Sequence, residues 1–293
     1  MSAGAPTRLR AVDLFTVIYL GVTLPVYFFL PLDTWPMWRG ALLHAAGMAG
    51  VIAARRGGLG RFRAGRFVLD LYPLVFFGLL YSEAATLNRV FLHEGYRDGW
   101  ILRVEEQWFG CQPSRDWRVL LPWKPLSEYV HLGYFSYYTY VPALAFVLLR
   151  GGRRAAWHNA VASIAFSFYC GFILFIALPA AGPYYQFAHL DPNLGGYVMP
   201  RVTQWIVDRG SSLGTAFPSS HVSVSVTTWV MAMRYRRKLA VVMAFLVPAM
   251  AFGAVYGGYH YLTDILAGTL LGVFSATFGH ALARRWNRRA DLC

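Results

Sequence analysis

Long apolar segments alternate with short arginine-rich connections along almost the whole chain, and this alternation restricts the fold more than any other feature. Only 14% of the 293 residues are charged, against about 25% in a typical soluble domain. A helix needs about 20 apolar residues to cross a bilayer. Eight segments approach that length: 11–31, 38–54, 67–88, 127–149, 156–179, 217–233, 239–257 and 260–282. We predict an all-α fold: one polytopic transmembrane bundle over residues 1–293 with about eight spanning helices, of which the short second and sixth are tilted, re-entrant or partly buried.

The distribution of arginine predicts the orientation of this bundle. If the N-terminus lies inside, every inside connection and the C-terminal tail are basic. The two long outside connections, 88–127 and 180–216, instead mix basic and acidic residues. Arginine and lysine concentrate in cytoplasmic loops, so we expect both termini to be cytoplasmic. The tryptophans of the 88–127 loop predict a short amphipathic helix in the extracytoplasmic interface, acting as a brace or as a substrate gate.

The formal net charge of +13 does not indicate a nucleic-acid partner. The basic residues lie at the ends of apolar segments and form no stripe with interleaved aromatic residues, so the positive-inside pattern accounts for them. The three cysteines, Cys111, Cys170 and Cys293, have neither metal-site nor disulfide-framework spacing. We therefore expect no nucleic acid and no cofactor.

A first cluster of candidate site residues begins the sixth segment, in the run Phe217-Pro218-Ser219-Ser220-His221. Proline with neighbouring serines is typical of a helix start. The free N–H groups and the positive dipole of such a start favour an anion. The cluster predicts a phosphate seat with both serines beside the histidine, or alternatively an ordinary cap followed by an interfacial histidine.

A second cluster, His260-Tyr261-Leu262-Thr263-Asp264, begins the eighth segment. Residues four apart on a helix share a face. The carboxylate of Asp264 can therefore accept a hydrogen bond from one ring nitrogen of His260 and leave the other free as nucleophile or base. Insertion of an aspartate into a membrane costs about 2.5–3.5 kcal/mol, which calls for a partner or a function. The alternative is a structural His–Asp pair between helices.

The predicted topology puts both clusters at the same membrane face and at similar depth, so we expect His221, His260 and Asp264 to form one catalytic site. Two histidines and a carboxylate are also a possible metal triad. However, the carboxylate is used to orient His260, and the serine-rich helix start favours an anion over a cation. We therefore expect no metal.

The two motifs together resemble the type 2 phosphatidic acid phosphatase (PAP2) superfamily, in which Pro-Ser-Gly-His precedes His-x-x-x-Asp. The resemblance covers residues 179–282, which we take as the catalytic motif region, and implies a six-helix core. It implies that His260 attacks phosphorus and that Asp264 orients it. It also implies that His221 protonates the leaving oxygen, that Ser219 holds a phosphoryl oxygen, and that no metal takes part.

Two phosphate-binding cations of those phosphatases are missing. Ala254 stands where they have an arginine, and residues 177–185 contain no counterpart of their upstream lysine and arginine. A phosphomonoester dianion needs such cations more than a phosphodiester does. The pattern therefore looks more like the branch that contains inositol phosphorylceramide synthase and sphingomyelin synthase, which residues 133–138 also resemble.

Further residues near the outer face are candidates for substrate binding. Tyr134 and Tyr138 are expected either to line a headgroup pocket or to belong to an aromatic belt. Arg201 or Arg209 is a candidate to replace the missing phosphate cations, unless it is simply solvated. We expect His44 to make a polar contact between helices.

These observations predict a membrane lipid phosphotransferase that moves a phospho-headgroup from a phospholipid donor to a lipid hydroxyl acceptor through a phosphohistidine. One alternative is a lipid phosphate phosphatase, of the phosphatidate or polyprenyl-phosphate type, that uses water as acceptor. An alternative of another class is a non-catalytic lipid-binding or transport protein. We expect the protein in a bacterial inner membrane, with its site on the extracytoplasmic face.

Overall fold

The computed structural model describes residues 8–30, 37–187 and 196–291, and this part of the chain is almost entirely helical. Its helices are α1 (Ala11–Thr23), α2 (Met37–Arg56), α3 (Arg63–Leu87), α4 (Asp98–Phe109), α5 (Pro113–Leu120), α6 (Lys124–Arg150), α7 (Arg154–Ala177), α8 (Pro183–Gln186), α9 (Met199–Gly210), α10 (Ser220–Tyr235), α11 (Arg237–Tyr256), α12 (Leu262–Phe274) and α13 (His280–Asp291). The β pairing in the described residues is one isolated bridge between Ala180 and Thr215. The predicted all-α bundle is confirmed. Cys293 and part of the 180–216 loop lie outside the described residues.

Six helical stretches of the described chain are long and apolar enough to cross a membrane. They are Ala11–Phe29, Arg63–Leu92, Lys124–Arg150, Arg154–Ala177, Arg237–Tyr256 and Leu262–Ala290. The other two predicted segments, 38–54 and 217–233, are also helices, but α2 is less apolar and α10 has only 16 residues. By length and composition the described chain therefore has six spanning helices rather than about eight.

The two ends of the described chain meet at one end of the bundle. The Ala11 N–H donates to the Asn287 side-chain oxygen at 2.9 Å, and the Trp286 indole donates to the Leu9 carbonyl at 2.8 Å. From this end the continuous helical stretch Leu262–Ala290 runs for 29 residues, or about 43 Å at ~1.5 Å per residue. His260 therefore lies at the opposite end of the bundle from the chain ends.

Two glycines let α12 approach the start of α10 closely. A Cβ on Gly268 would lie 2.5 Å from the Ser219 carbonyl, and one on Gly272 would lie 2.7 Å from the Ser223 carbonyl. Small residues four apart are a common means of bringing membrane helices into backbone contact. This contact holds the beginnings of α10 and α12 side by side.

The 88–127 loop forms a 3₁₀ turn followed by α4 and α5. The ring of Trp117 stacks on Phe252 of α11 with centroids 5.0 Å apart, whereas three other tryptophans of the loop are exposed. α4 turns Asp98, Ile101 and Glu105 towards the interior. The loop thus contains helical structure and packs against the bundle through Trp117, while its role as a brace or a gate stays a prediction.

His44 makes the interhelix contact expected of it. Its Nε2 lies 2.9 Å from the Glu83 carboxylate on α3, and its Nδ1 lies 3.2 Å from the Leu20 carbonyl on α1. The histidine of α2 is therefore a structural link among three helices.

Candidate active site

The first motif forms the turn that starts α10. Ser219 is the N-cap residue, and its hydroxyl accepts a hydrogen bond from the Val222 N–H at 3.4 Å. The Ser219 N–H donates to the Asp264 carbonyl at 3.0 Å. The backbone of the first motif is thus hydrogen-bonded to the second, and His221 lies in the first turn of α10 beside it.

The second motif pairs His260 with Asp264 at the start of α12. The Asp264 oxygen Oδ2 lies 3.2 Å from His260 Nδ1 and accepts a hydrogen bond from the Tyr261 N–H at 2.9 Å. An ionised carboxylate only accepts hydrogen bonds, so Nδ1 carries the proton in this pair. Nε2 of His260 is then the nitrogen with a free lone pair.

The two catalytic candidates face each other across a short gap. The rings of His221 and His260 have centroids 5.6 Å apart and an interplanar angle of 62°. His260 is 6% exposed, whereas His221 is partly exposed. Reactive groups on both rings can therefore reach one bound atom between them, as in-line displacement requires.

Both imidazoles line a cavity of about 420 Å³ with largely aromatic walls. This size is within the range of small-molecule sites. The ring of Tyr134 stacks on His221 at 5.3 Å, and that of Tyr137 lies 4.4 Å from it. Tyr134 and Tyr138, both expected near a headgroup, line the cavity. Its tyrosines are Tyr81, Tyr134, Tyr137, Tyr138, Tyr184, Tyr185 and Tyr259.

The two serines of the first motif have different positions. Ser220 is among the residues that line the cavity, whereas Ser219 does not line it and is completely buried with its hydroxyl engaged in the helix cap. Of the two phosphate-binding candidates, Ser220 is therefore the one placed to contact a bound group.

None of the described residues lining the cavity is an arginine or a lysine. Arg201 and Arg209 are exposed on α9, and the guanidinium of Arg209 lies over the Trp205 ring at 4.5 Å. Neither arginine is brought to the cavity, because α9 presents its polar face outward. Arg118 is buried but donates to the carbonyls of Tyr256 and Gly257, at 3.3 and 2.7 Å.

The packed apolar surroundings of Ala254 explain why this position does not hold an arginine. Its side chain is fully buried in an apolar cluster that includes Tyr134 and Val222. Its carbonyl accepts hydrogen bonds from the N–H groups of Tyr259 and His260, at 2.9 and 3.0 Å. The site of the missing phosphatase cation is thus occupied by packed apolar structure.

Two carboxylates of α4 hold the second motif, and we did not predict them from the sequence. Asp98 accepts hydrogen bonds from the Ala181 and Gly182 N–H groups, at 2.7 and 2.8 Å, and from the Tyr261 hydroxyl at 2.8 Å. Glu105 accepts hydrogen bonds from the N–H and hydroxyl of Thr263, at 2.8 and 3.1 Å.

Burial raises the pKa of Glu105 above its ordinary value, although the hydrogen bonds from Thr263 act in the opposite direction. The seven-residue spacing of Asp98 and Glu105, two helical turns on one face, is the sequence signal that points to their shared role. Both carboxylates therefore hold the segment that directly follows His260.

A sequence model of the PAP2 superfamily matches residues 99–278, well over half of the chain. The chain is a member of the PAP2 superfamily. Neither a curated protein nor a solved structure matches it. The match spans both histidine motifs of this PAP2 protein and reaches back to α4, which braces them. The protein is thus a phosphatase or phosphotransferase of a superfamily that acts on lipids.

Proposed function

We propose that this PAP2 protein is a lipid phosphotransferase that moves a phospho-headgroup from a phospholipid to the hydroxyl of a second lipid. The observation that carries the proposal is the pair of facing imidazoles, 5.6 Å apart, on the wall of an aromatic cavity with no described arginine or lysine in its lining. The site thus offers a nucleophile and a proton carrier without a fixed cation.

The first half-reaction forms a covalent intermediate. Nε2 of His260 attacks phosphorus, and the bond from phosphorus to the diacylglycerol oxygen breaks. Protonated His221 gives its proton to that leaving oxygen. Asp264, in contact with Nδ1, stabilises the positive charge that develops on the His260 ring.

The second half-reaction returns the site to its starting state. His221, now neutral, takes the proton of an acceptor hydroxyl, whose oxygen attacks the phosphohistidine. The phosphorus–nitrogen bond breaks, and its electron pair returns to Nε2 of His260. One proton is thus carried from acceptor to leaving group, and the enzyme is regenerated.

The composition of the cavity favours transfer over hydrolysis of a monoester. A phosphomonoester dianion would meet no guanidinium or ammonium group among the described lining residues, whereas a phosphodiester carries a single negative charge that protonated His221 can balance. Aromatic walls also suit a lipid acceptor, because they provide apolar surface next to the reacting hydroxyl. Hydrolysis of a lipid phosphate is the competing activity, since water can replace the acceptor in the second half-reaction.

The test is a product analysis with purified protein and a phospholipid labelled in its headgroup phosphate. We expect a new labelled phospholipid when a lipid mixture rich in hydroxyl acceptors is added, and its loss in His260→Gln. The matched control is His44→Gln, a buried histidine outside the cavity. Release of labelled phosphate from a phosphomonoester, without an acceptor, would identify a phosphatase. Turnover unaffected by His260→Gln would refute the role of His260, and absence of both products with the wild type would favour a lipid-binding protein.

A further inference from the structure

We infer that a second cleft, at the end of the bundle opposite the catalytic histidines, binds a phosphate-bearing anion such as the headgroup of an anionic phospholipid. The cleft has a volume of about 550 Å³ and lies between α7, α10, α13 and the residues before α1. This inference does not depend on the proposed transferase activity, because none of the cleft residues lines the catalytic cavity.

The lining of the cleft is strongly basic. None of the described residues that line it is a carboxylic acid, and its basic members are Arg10, Arg234, Arg284, Arg288, His158 and His280. Arg234 comes from α10, whereas Arg284 and Arg288 are four residues apart on α13 and so share a face. Cations from two different helices therefore converge on one concavity.

Three of these arginines are available to a ligand. Arg234, Arg284 and Arg288 are exposed, and in the described chain none of them makes a hydrogen bond or an ion pair with a protein group. Like charges four residues apart on a helix repel each other. An anion bound between Arg284 and Arg288 would remove that repulsion and accept hydrogen bonds from both guanidinium groups.

Two nearby carboxylates, Asp13 and Asp70, are already paired with cations outside the cleft lining, and Asp13 accepts a hydrogen bond from Arg55 at 2.6 Å. Asp70 lies behind His158, with its Oδ1 2.8 Å from His158 Nε2, and its other oxygen is 2.7 Å from an Arg154 nitrogen. Nδ1 of His158 is buried and has no hydrogen-bond partner in the described chain. Because Nε2 donates to Asp70, Nδ1 of the neutral ring is an acceptor, so His158 would donate a hydrogen bond to a bound anion only when its ring is protonated.

The start of α7 adds a further favourable contribution. α7 begins at Arg154, and Ala155 and Ala156 of its first turn line the cleft. The N-terminus of a 24-residue helix carries free N–H groups and the positive end of the dipole, both of which favour an anion.

A general preference for arginine at this end of the bundle does not by itself produce such a site. Arg285 and Arg289 lie on the same helix, α13, and are exposed, but they do not line the cleft. They therefore form a matched pair for an experiment, since either double substitution to glutamine removes two charges from the same helix. Basic pockets between transmembrane helices are known to hold anionic headgroups.

The test measures binding by native mass spectrometry of the full-length protein in a neutral detergent. One arm adds phosphatidylglycerol and the other adds inorganic pyrophosphate. We expect one tightly retained anion in the wild type, with binding weakened on the order of tenfold or more in R284Q/R288Q and less than about twofold in R285Q/R289Q. R234Q, on α10, should weaken binding in the same direction and is an independent check if the α13 double variant folds poorly.

The two arms identify the source of the anion. Retention of the lipid with no effect of pyrophosphate supports a headgroup site, and pyrophosphate binding with the same arginine dependence supports a site for soluble phosphate compounds. Equal weakening in R284Q/R288Q and R285Q/R289Q would show diffuse surface electrostatics and overturn the inference. Absence of stoichiometric binding of either probe would also overturn it.

Discussion

Replacement of Asp264 by asparagine separates the charge of this carboxylate from its geometry. One oxygen, Oδ2, meets both Nδ1 of His260, at 3.2 Å, and the Tyr261 N–H, at 2.9 Å, and both neighbours are donors. The carbonyl oxygen of asparagine can accept both hydrogen bonds, so the His260 tautomer need not change. Only the negative charge beside the imidazole is lost.

The structure sets the scale of the effect on activity. Two unit charges 3.2 Å apart interact by about 5 kcal/mol at an effective dielectric constant near 20, which is an upper limit. If about half of this interaction energy stabilises the transition state, its loss in Asp264→Asn lowers the rate on the order of 10²-fold. A fall of about 10⁴-fold is typical when asparagine forces the wrong tautomer, and we do not expect it here.

The free energy of unfolding should respond to Asp264→Asn differently from the activity. Oδ1 of Asp264 is buried without a hydrogen-bond partner in the described chain, so Asp264→Asn removes an incompletely satisfied buried charge. We expect a change in unfolding free energy within about 1 kcal/mol. Asp264→Ala is the control. It leaves the Tyr261 N–H unsatisfied, which costs about 1–3 kcal/mol, and it frees the His260 ring.

The assay combines single-turnover kinetics on labelled phospholipid with thermal unfolding of the purified variants. We expect Asp264→Asn to lose activity with little change in unfolding midpoint, and Asp264→Ala to lose both. Activity of Asp264→Asn within about threefold of wild type would refute a role for the charge. An equal drop in midpoint for both variants would refute the assignment of both hydrogen bonds to Oδ2.

Three further outcomes follow from the contacts around the site. Gly268→Ala places a Cβ 2.5 Å from a backbone carbonyl of the neighbouring motif, so activity should fall by about tenfold or more and the unfolding midpoint should drop. Gly50→Ala on α2, where a Cβ meets open space and which does not line the cavity, should lower neither. Tyr261→Phe removes one of the three donors to Asp98 and should reduce transition-state stabilisation by about 1 kcal/mol. The measurement is kcat/KM, which should fall several-fold while the protein stays folded. Burial raises the pKa of Glu105 above its ordinary value of 4.5, so its contribution to stability is complete below pH 4.5 and is lost as pH rises through the raised pKa. Glu105→Gln should therefore flatten the decline of the unfolding midpoint as pH rises above 4.5, and an unchanged decline would contradict this reasoning.

The local elements of the site could be read from the sequence because they depend on short-range geometry. Proline and serine mark the start of α10, and the spacing of four residues brings His260 and Asp264 onto one face. The positions of α10 and α12 relative to each other depend on Gly268 and Gly272. The small-residue spacing of these glycines is visible in the sequence, but their partner helix is not, because the contacts are with backbone carbonyls.

Other features could not be predicted, for identifiable physical reasons. Arg201 and Arg209 lie in a loop helix, and a sequence does not reveal which way such a helix faces within the assembled bundle. The seven-residue spacing of Asp98 and Glu105 shows that they share a helix face, but it does not identify their partners, which are mainly backbone N–H groups and have no residue signature. Two of the eight predicted segments do not have the length and composition of a spanning helix in the described chain. α2 is less apolar, and α10 is short and rich in serine and threonine, whose hydroxyls bond to its own carbonyls.

The distribution of charge around the cavity links the fold to the choice of substrate. Three buried carboxylates, Asp98, Glu105 and Asp264, lie at or beside the second motif, and no described cation lines the cavity. Each added negative charge on a substrate would therefore be opposed by these carboxylates, and in the proposed mechanism protonated His221 is the cationic side chain that offsets it. A phosphodiester with one negative charge is balanced by that single proton, whereas a monoester dianion leaves one charge unbalanced in a largely apolar space. Under the proposed function, the proton that His221 gives to the leaving group is also the charge that balances the substrate, so donor binding and leaving-group protonation should show the same dependence on pH.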